Sequence, residues 1–422
     1  MSGWGGPVRL ELRMRLLHTS DWHLGHTLRD FSRAHEHAAF LGWLVETICA
    51  RQVDVLLVAG DVFDSANPPA AAQELWFDFL ARLRRESPQT RVIAIGGNHD
   101  SAARLDAPSP VLRALDVTIV GGLPRLRSEL QLERIVVDVR SKSGERAWIA
   151  AVPFLRLSDL AAEHALEAPE RGVRAVYDEV FDAIRARMGA GEALLAMGHL
   201  YMVEGRISEL SERKILGGNQ HAIPVELFPA DVTYAALGHL HLAQGVGGRD
   251  HVRYSGSPLA LSIDEAHYEH QVVLLDLERG RLAALEVLRV PREVEVVRIP
   301  ARGALPLPDA LAELRALAPA EALAPARWPF VEVAIELARP EPSLQAQVAD
   351  ALFGRAARLV KITRVLAAGE PKLRPSAVRA LADFTPEQVF RERWSKEYPG
   401  DPPNELLGAF HEMVETAAQE TR

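Results

Sequence analysis

The sequence predicts a layered α/β (α+β) protein carrying a small second domain and a helical tail. Three observations lead there. From Met14 to about residue 290, short apolar runs alternate with segments of helical composition. Most of those runs end in Gly followed at once by a polar residue. Near Pro291 the pattern changes to shorter units that include one strictly alternating strand.

Taken in order, residues 1–13 (MSGWGGPVRLELR) are Gly-rich and aperiodic and read as a disordered extension, with Met14 as the expected start of the folded chain. Met14-Arg-Leu-Leu-His-Thr-Ser is the first strand. Val53–Ala59, Arg91–Ile95, Ala193–Met197 and Tyr234–Leu237 are continuous apolar runs bounded by Gly. Such runs suit strands buried on both faces. The stretches at 33–50, 69–86 and 172–188 have helical composition and are expected to cover the sheet. After Pro291, Val294–Ile299, Phe330–Leu337 and Leu359–Val365 read as strands separated by helices at about 308–318 and 343–353. This is a β-α-β-α-β unit over 291–370. Within it Val331, Val333, Ile335 and Leu337 alternate with Glu332, Ala334, Glu336 and Ala338, which predicts one dry face and one wet face. The tail from 371 is helical: Thr385-Pro386-Glu387-Gln388 is an N-terminal capping sequence, and Asn404 is placed to cap a last helix. Val389, Phe390 and Trp394 share a stripe in the first of these helices. They expose more apolar surface than two short helices can hide, so they dock either on the chain's own body or on a partner.

Composition narrows the classes. The chain has 422 residues, 48% hydrophobic and 25% charged, which suits two or three globular domains and argues against disorder. Its single cysteine, Cys49, rules out a disulfide scaffold. No stretch approaches the roughly 18 apolar residues of a membrane span, and the N-terminus lacks the apolar core of a secretory signal, so a cytoplasmic location is expected. The formal charge is −9, with 48 basic and 57 acidic residues, and residues 291–422 hold 17 and 19 of them. Most of the acidity therefore belongs to the first 290 residues. A stand-alone nucleic-acid binder normally shows the opposite sign.

Five strand ends repeat one design: Ser20-Asp21-Trp22-His23, Gly60-Asp61, Gly97-Asn98-His99-Asp100, Gly198-His199 and Gly238-His239-Leu240-His241. A strand terminus is rigid on one side and open to solvent on the other, which suits a metal ligand. In an extended Asp-x-His or His-x-His, alternate side chains reach the same side. Any one such pair recurs by accident, and a lone buried histidine is usually a satisfied core residue. Of the 15 histidines, however, His23, His99, His199, His239 and His241 all fall at these ends beside Asp21, Asp61 and Asn98. Imidazole, carboxylate and amide oxygen without thiolate suit Mn²⁺ or Fe²⁺ at least as well as Zn²⁺. Seven such groups exceed one tetrahedral zinc and fit two ions about 3.5–4 Å apart, with Asp61 as the natural bridge.

The ordered set Asp-x-His, Gly-Asp, Gly-Asn-His-Asp, Gly-His, Gly-His-x-His resembles the calcineurin-like metallophosphoesterases. The strings LLHTSDWHLGHTL, VAGDVFDSANPP, GNHDS, ALGHLHLAQ and HVRYSGSPLALSIDE are similar to the SbcD-type nucleases of that superfamily. The resemblance implies a metallophosphoesterase fold over 14–290, a two-sheet core flanked by helices, followed by a capping domain. It implies that Asp21, His23, Asp61 and His241 hold one Mn²⁺ and that Asp61, Asn98, His199 and His239 hold the other, with Mg²⁺, Fe²⁺ or Zn²⁺ able to substitute. His99 matches the family's catalytic histidine; Asp100 either orients it or serves the turn. The implied activity is exonucleolytic cleavage of DNA ends and endonucleolytic cleavage of hairpins and single strands. The implied partner is an SbcC-type coiled-coil ATPase bound through 371–422, and a homodimer in the bacterial cytoplasm, associated with the nucleoid, is expected. None of the five lysines follows a glycine, so the chain carries no Walker A loop. The runner-up is a small-molecule or cyclic-nucleotide phosphodiesterase of the same superfamily.

Overall fold

The computed structural model describes residues 12–127, 129–160, 168–203, 205, 222–366, 386–397, 401–403, 406–411 and 413–414. The expected extension at 1–13 and the expected tail from 371 lie largely outside these residues.

Two six-stranded sheets face each other. The first contains β1 (Met14–Thr19), β2 (Val55–Ala59), β3 (Arg91–Ile95) and β4 (Val117–Val120) in parallel. The second contains β5 (Val136–Arg140), β6 (Arg146–Ala151), β7 (Ala193–His199), β8 (Val232–Gly238), β9 (Gln244–Val246) and β10 (Arg249–Tyr254), of which β6, β7, β8 and β10 run parallel. The antiparallel strands β11 (Gln271–Glu278) and β12 (Arg281–Arg289) then return to the first sheet beside β1. The helices α1 (Ala34–Arg51) and α2 (Ala70–Glu86) cover the outer face of the first sheet, and α3 (Pro169–Arg185) covers that of the second.

Alternation along each strand divides the core into layers. In β1, Leu16 faces the space between the sheets while Leu17 faces α1 and α2. Both are fully buried, which is why the run reads as continuously apolar. The expected β1, β2, β3, β7 and β8 are all present. The strands β4, β5, β6, β9, β10, β11 and β12 are not among those the sequence singles out. The edge strand β12 carries the least pattern of these, since every one of its residues is exposed or half-buried. The third helix begins three residues earlier than expected, with Pro169 in its first turn.

The small unit has its own parallel sheet. β13 (Val296–Ile299) and β14 (Leu305–Pro306) share one edge of β15 (Phe330–Leu337), and β16 (Arg358–Leu366) pairs along the other. The helices α4 (Leu307–Arg315) and α5 (Leu344–Ala351) make the crossovers and close a separate core over Val331, Val333 and Ile335. The wet face expected of β15 holds only at its C-terminal end: Glu336 and Ala338 are exposed, but Glu332 is only 3% exposed and Ala334 is fully buried. Glu332 is tolerated because Thr363 donates to it at 2.7 Å while Lys361 and Arg298 lie at 3.3 and 3.6 Å.

In the tail, α6 (Pro386–Glu397) packs on the helical residues 406–411 through Phe390 and Phe410, stacked 4.4 Å apart. Val389, Leu406 and Met413 are exposed. Asn404 lies outside the described residues. No helix among them is long and apolar enough to cross a membrane.

Candidate metal centre

The C-terminal ends of β1, β2, β3, β7 and β8 converge, and the loops leaving them bring all the expected site residues together. Donor atoms of Asp21, His23 and His241 lie within 4.8 Å of one another, as do those of Asp21, Asp61 and His199. Asn98 Oδ1 sits 3.0 Å from His199 Nε2 and 3.1 Å from His239 Nδ1. Asp61 Oδ2 is 3.3 Å from His199 Nε2 and 3.5 Å from His23 Nε2, so it stands between the two groups. Donors bound about 2.0–2.2 Å from a common ion lie about 3 Å apart, which is the spacing seen here.

The Asp-x-His segment is not extended, contrary to expectation. Asp21 (φ 54°), His23 (φ 47°) and Asp61 (φ 49°) are all left-handed, and His239 has φ 105°. Non-glycine residues at such angles cost about 1–3 kcal/mol each and gather at functional sites. The turn is held from both sides. Trp22 is fully buried among Phe40, Trp76 and Phe79, and the amides of Asp21, His23 and Leu24 donate to Gly60, Asp61 and Val62. Driving Trp22 into the core forces its two neighbours outward together. Close approach also dictates two glycines: a Cβ on Gly238 would fall 1.9 Å from Ala59 O, and one on Gly97 would fall 2.1 Å from Asp61 Oδ1.

At three of the site histidines a hydrogen bond from behind selects which nitrogen is presented. His199 Nδ1 donates to Ala59 O at 2.9 Å, which turns Nε2 toward Asp61. His241 Nδ1 donates to Glu265 at 2.8 Å. His99 Nδ1 donates to the carbonyl of Asp64 at 2.8 Å, and its amide donates to Asp61 Oδ1. Asp100 does not orient that ring. Its carboxylate accepts the amides of Val62, Phe63 and Gly97, so it serves the turn.

The electrostatics call for cations. Asp21 and Asp61 are buried, and among the described residues neither is paired with Lys or Arg. Burial pushes the Asp21 carboxyl up. For Asp61 burial acts the same way, but His199, His99 and His23 outweigh it and hold the carboxyl well below its ordinary value. Burial lowers His23 and lowers His239 to about 3, whereas the Asp61 carboxylate overcomes burial at His199 and pushes it up to about 9. Neither buried ring nitrogen of His23 makes a well-aligned hydrogen bond, although carboxylate oxygens of Asp64 and Asp61 lie 3.2 and 3.5 Å away. Buried imidazole nitrogens facing desolvated carboxylates in this way fit divalent metal ions.

The calcineurin-like phosphoesterase family matches residues 14–243, which span every one of these donors. The family described as the type 5 capsule protein repressor C-terminal domain matches residues 290–398. The SbcD component of nuclease SbcCD from Rhodobacter capsulatus is 43% identical over 390 residues, covering 89% of this chain and 93% of the relative. The chain belongs to the SbcD family. The SbcD proteins of Escherichia coli K12 and Bacillus subtilis 168 are 37% and 35% identical, over 66% and 64% of this chain and 68% of each relative.

In this SbcD-family chain, sequence reasoning missed three side chains at the centre. Asp64 lies 3.2 Å from His23 Nδ1 and 3.0 Å from His26 Nδ1, and these histidines override burial to hold its carboxyl far below normal. Glu265 is the third. Asp64 closes the Gly-Asp-x-x-Asp string and was legible as a carboxylate near the site. His26 and Glu265 carry no spacing signal that points to it.

Proposed function

We propose that this chain is the nuclease component of an SbcCD-type complex, a metal-dependent phosphodiesterase that hydrolyses DNA. It cuts duplex ends exonucleolytically and hairpins or single strands endonucleolytically, in repair and recombination. The observation that carries this reading is the convergence of seven donors from five strand ends in a chain of that family. Asp21, His23, Asp61 and His241 would hold one ion; Asp61, Asn98, His199 and His239 would hold the second. The thiolate-free donor set favours Mn²⁺, with Mg²⁺, Fe²⁺ or Zn²⁺ able to substitute. When bound, such a pair supplies positive charge to the phosphate oxygens and acidifies water.

The chain's own residues do the rest. With Nδ1–H committed to Asp64 O, His99 keeps Nε2 for the substrate. There it takes up a proton and delivers it to the departing 3′-oxygen, or hydrogen-bonds a phosphate oxygen. Asp61 holds the His99 amide and so fixes the ring's distance from the donor cluster. Asp100 ties the loop of His99 to the loop of Asp61.

The test is cleavage of a hairpin duplex with and without Mn²⁺. His99→Ala is expected to lose about 10²–10⁴-fold in rate while still binding metal; full activity would overturn the role of His99. Cleavage of a chromogenic small diester but never of DNA, even with the partner present, would favour the small-molecule phosphodiesterase. The partner is an SbcC-type coiled-coil ATPase docking on 371–422, a reading supported by the exposed Val389, Leu406 and Met413. The chain works as a homodimer in the cytoplasm.

A further inference from the structure

We infer that Glu265 is a positioning residue of the metal centre, acting through His241; this rests on the two-ion reading above. Glu265 is fully buried, in a short 3-10 turn 24 residues beyond His241. Its Oε1 accepts His241 Nδ1–H at 2.8 Å, and its Oε2 accepts the amide of Leu261 at 2.7 Å. An ionised carboxylate can only accept, so the pair fixes His241 in the tautomer whose Nε2 lone pair is available to an ion.

The neighbouring histidine shows why that choice needs enforcing. His239, two residues earlier, presents Nδ1 toward Asn98. The two histidines of one Gly-His-x-His string therefore offer opposite nitrogens, and nothing in their own backbone spacing selects between them. Glu265 makes the selection for His241.

Glu265 also ends a segment that grips the same side of the site elsewhere. Ser255 Oγ lies 2.8 Å from Ser20 Oγ, which in turn donates to Asp21. The Ser257 amide donates to His241 O at 3.1 Å. Leu261 O accepts His26 Nε2 at 3.0 Å. Among the described residues, the hydrogen bonds from 255–265 reach Ser20, beside Asp21, and His241 itself, and none runs to His199, His239 or Asn98. Asp21 and His241 are two donors assigned to the same ion. Loss of Glu265 is expected to weaken one ion and spare the other.

The experiment titrates Mn²⁺ into the metal-free full chain by calorimetry, with electron paramagnetic resonance to distinguish a coupled ion pair from a single ion. The wild type should bind two ions. Glu265→Ala and the near-isosteric Glu265→Gln should hold one ion normally and the other about 10–100-fold more weakly, with no coupled signal at stoichiometric metal. In a His241→Ala background, adding Glu265→Ala should cause no further loss. Two ions bound as in wild type would overturn the proposal. So would equal weakening of both ions with a lower melting temperature of the metal-free Glu265→Gln protein, or a full additional loss in the double variant. A wild type that binds no ion would instead overturn the two-ion reading itself.

Discussion

Asp61 is the residue on which the most constraints meet. It adopts a left-handed backbone, accepts the His99 amide, and stands between His199 and His23. Gly97 and Gly238 exist to let that crowding happen, because the tops of β2, β3 and β8 pass within van der Waals distance of one another. Gly238→Ala places a methyl group 1.9 Å from Ala59 O, and backbone on both sides cannot yield cheaply. It should cost about 1–3 kcal/mol of stability and disturb His239 directly. A thermal melt and an Mn²⁺ titration on the same variant check this; unchanged metal affinity would contradict the close packing described.

At the scale of elements, β1 and α1 each bury a neutral histidine that is not one of the donors. His18 in β1 bonds Tyr234 Oη and Leu237 O, and His37 in α1 donates to Trp22 O. Burial lowers both to about 3. The unfolded chain takes up these protons near pH 6.5. Stability from them is therefore complete above about pH 6.5 and lost as pH falls toward 3, at about 2 kcal/mol per histidine by pH 5. His37→Gln keeps a donor for Trp22 O and does not titrate. The metal-free variant should lose less of its melting temperature between pH 7 and pH 5 than the wild type does, and an identical pH dependence would refute this assignment. Within β15, the buried Glu332 makes the same point about environment: its cationic neighbours come from the adjacent strands, not from its own.

For the molecule as a whole, the small unit meets the phosphoesterase body at Phe330. This fully buried ring lies under the guanidinium of Arg33 at 5.2 Å and that of Arg358 at 3.9 Å, in a cluster with Leu28, Val294 and Val360. Arg33 is buried too and is satisfied by Glu36 and by Ala260 O. Phe330→Ala should cost about 3–5 kcal/mol and loosen the small unit from the phosphoesterase body. Limited proteolysis should then cut near residues 290–295 sooner than in the wild type. Removal of 371–422 should abolish binding of the ATPase partner in a pull-down and leave Mn²⁺ stoichiometry unchanged; retained partner binding would move the docking site elsewhere. With a net charge of −9, the isolated chain should hold DNA weakly and salt-sensitively.

The sequence by itself determined the five parallel strands whose ends carry the donors, and the order of those donors, because both are local signals. A buried strand must be apolar along its length, and a Gly-polar step at its end is visible without knowing its neighbours. That was enough to name Asp21, His23, Asp61, Asn98, His99, His199, His239 and His241. Tertiary structure alone decided how the donors are oriented. The acceptor behind His199 lies 140 residues away at Ala59, and the one behind His241 is Glu265, whose segment has no metal-ligand spacing. It also decided between the two readings of Asp100, since the three amides it accepts come from two different loops. The left-handed turn at Asp21-Trp22-His23 and the burial of Glu332 were hidden for the same reason. Both depend on which surfaces the fold brings into contact, and residue type along one strand does not encode that.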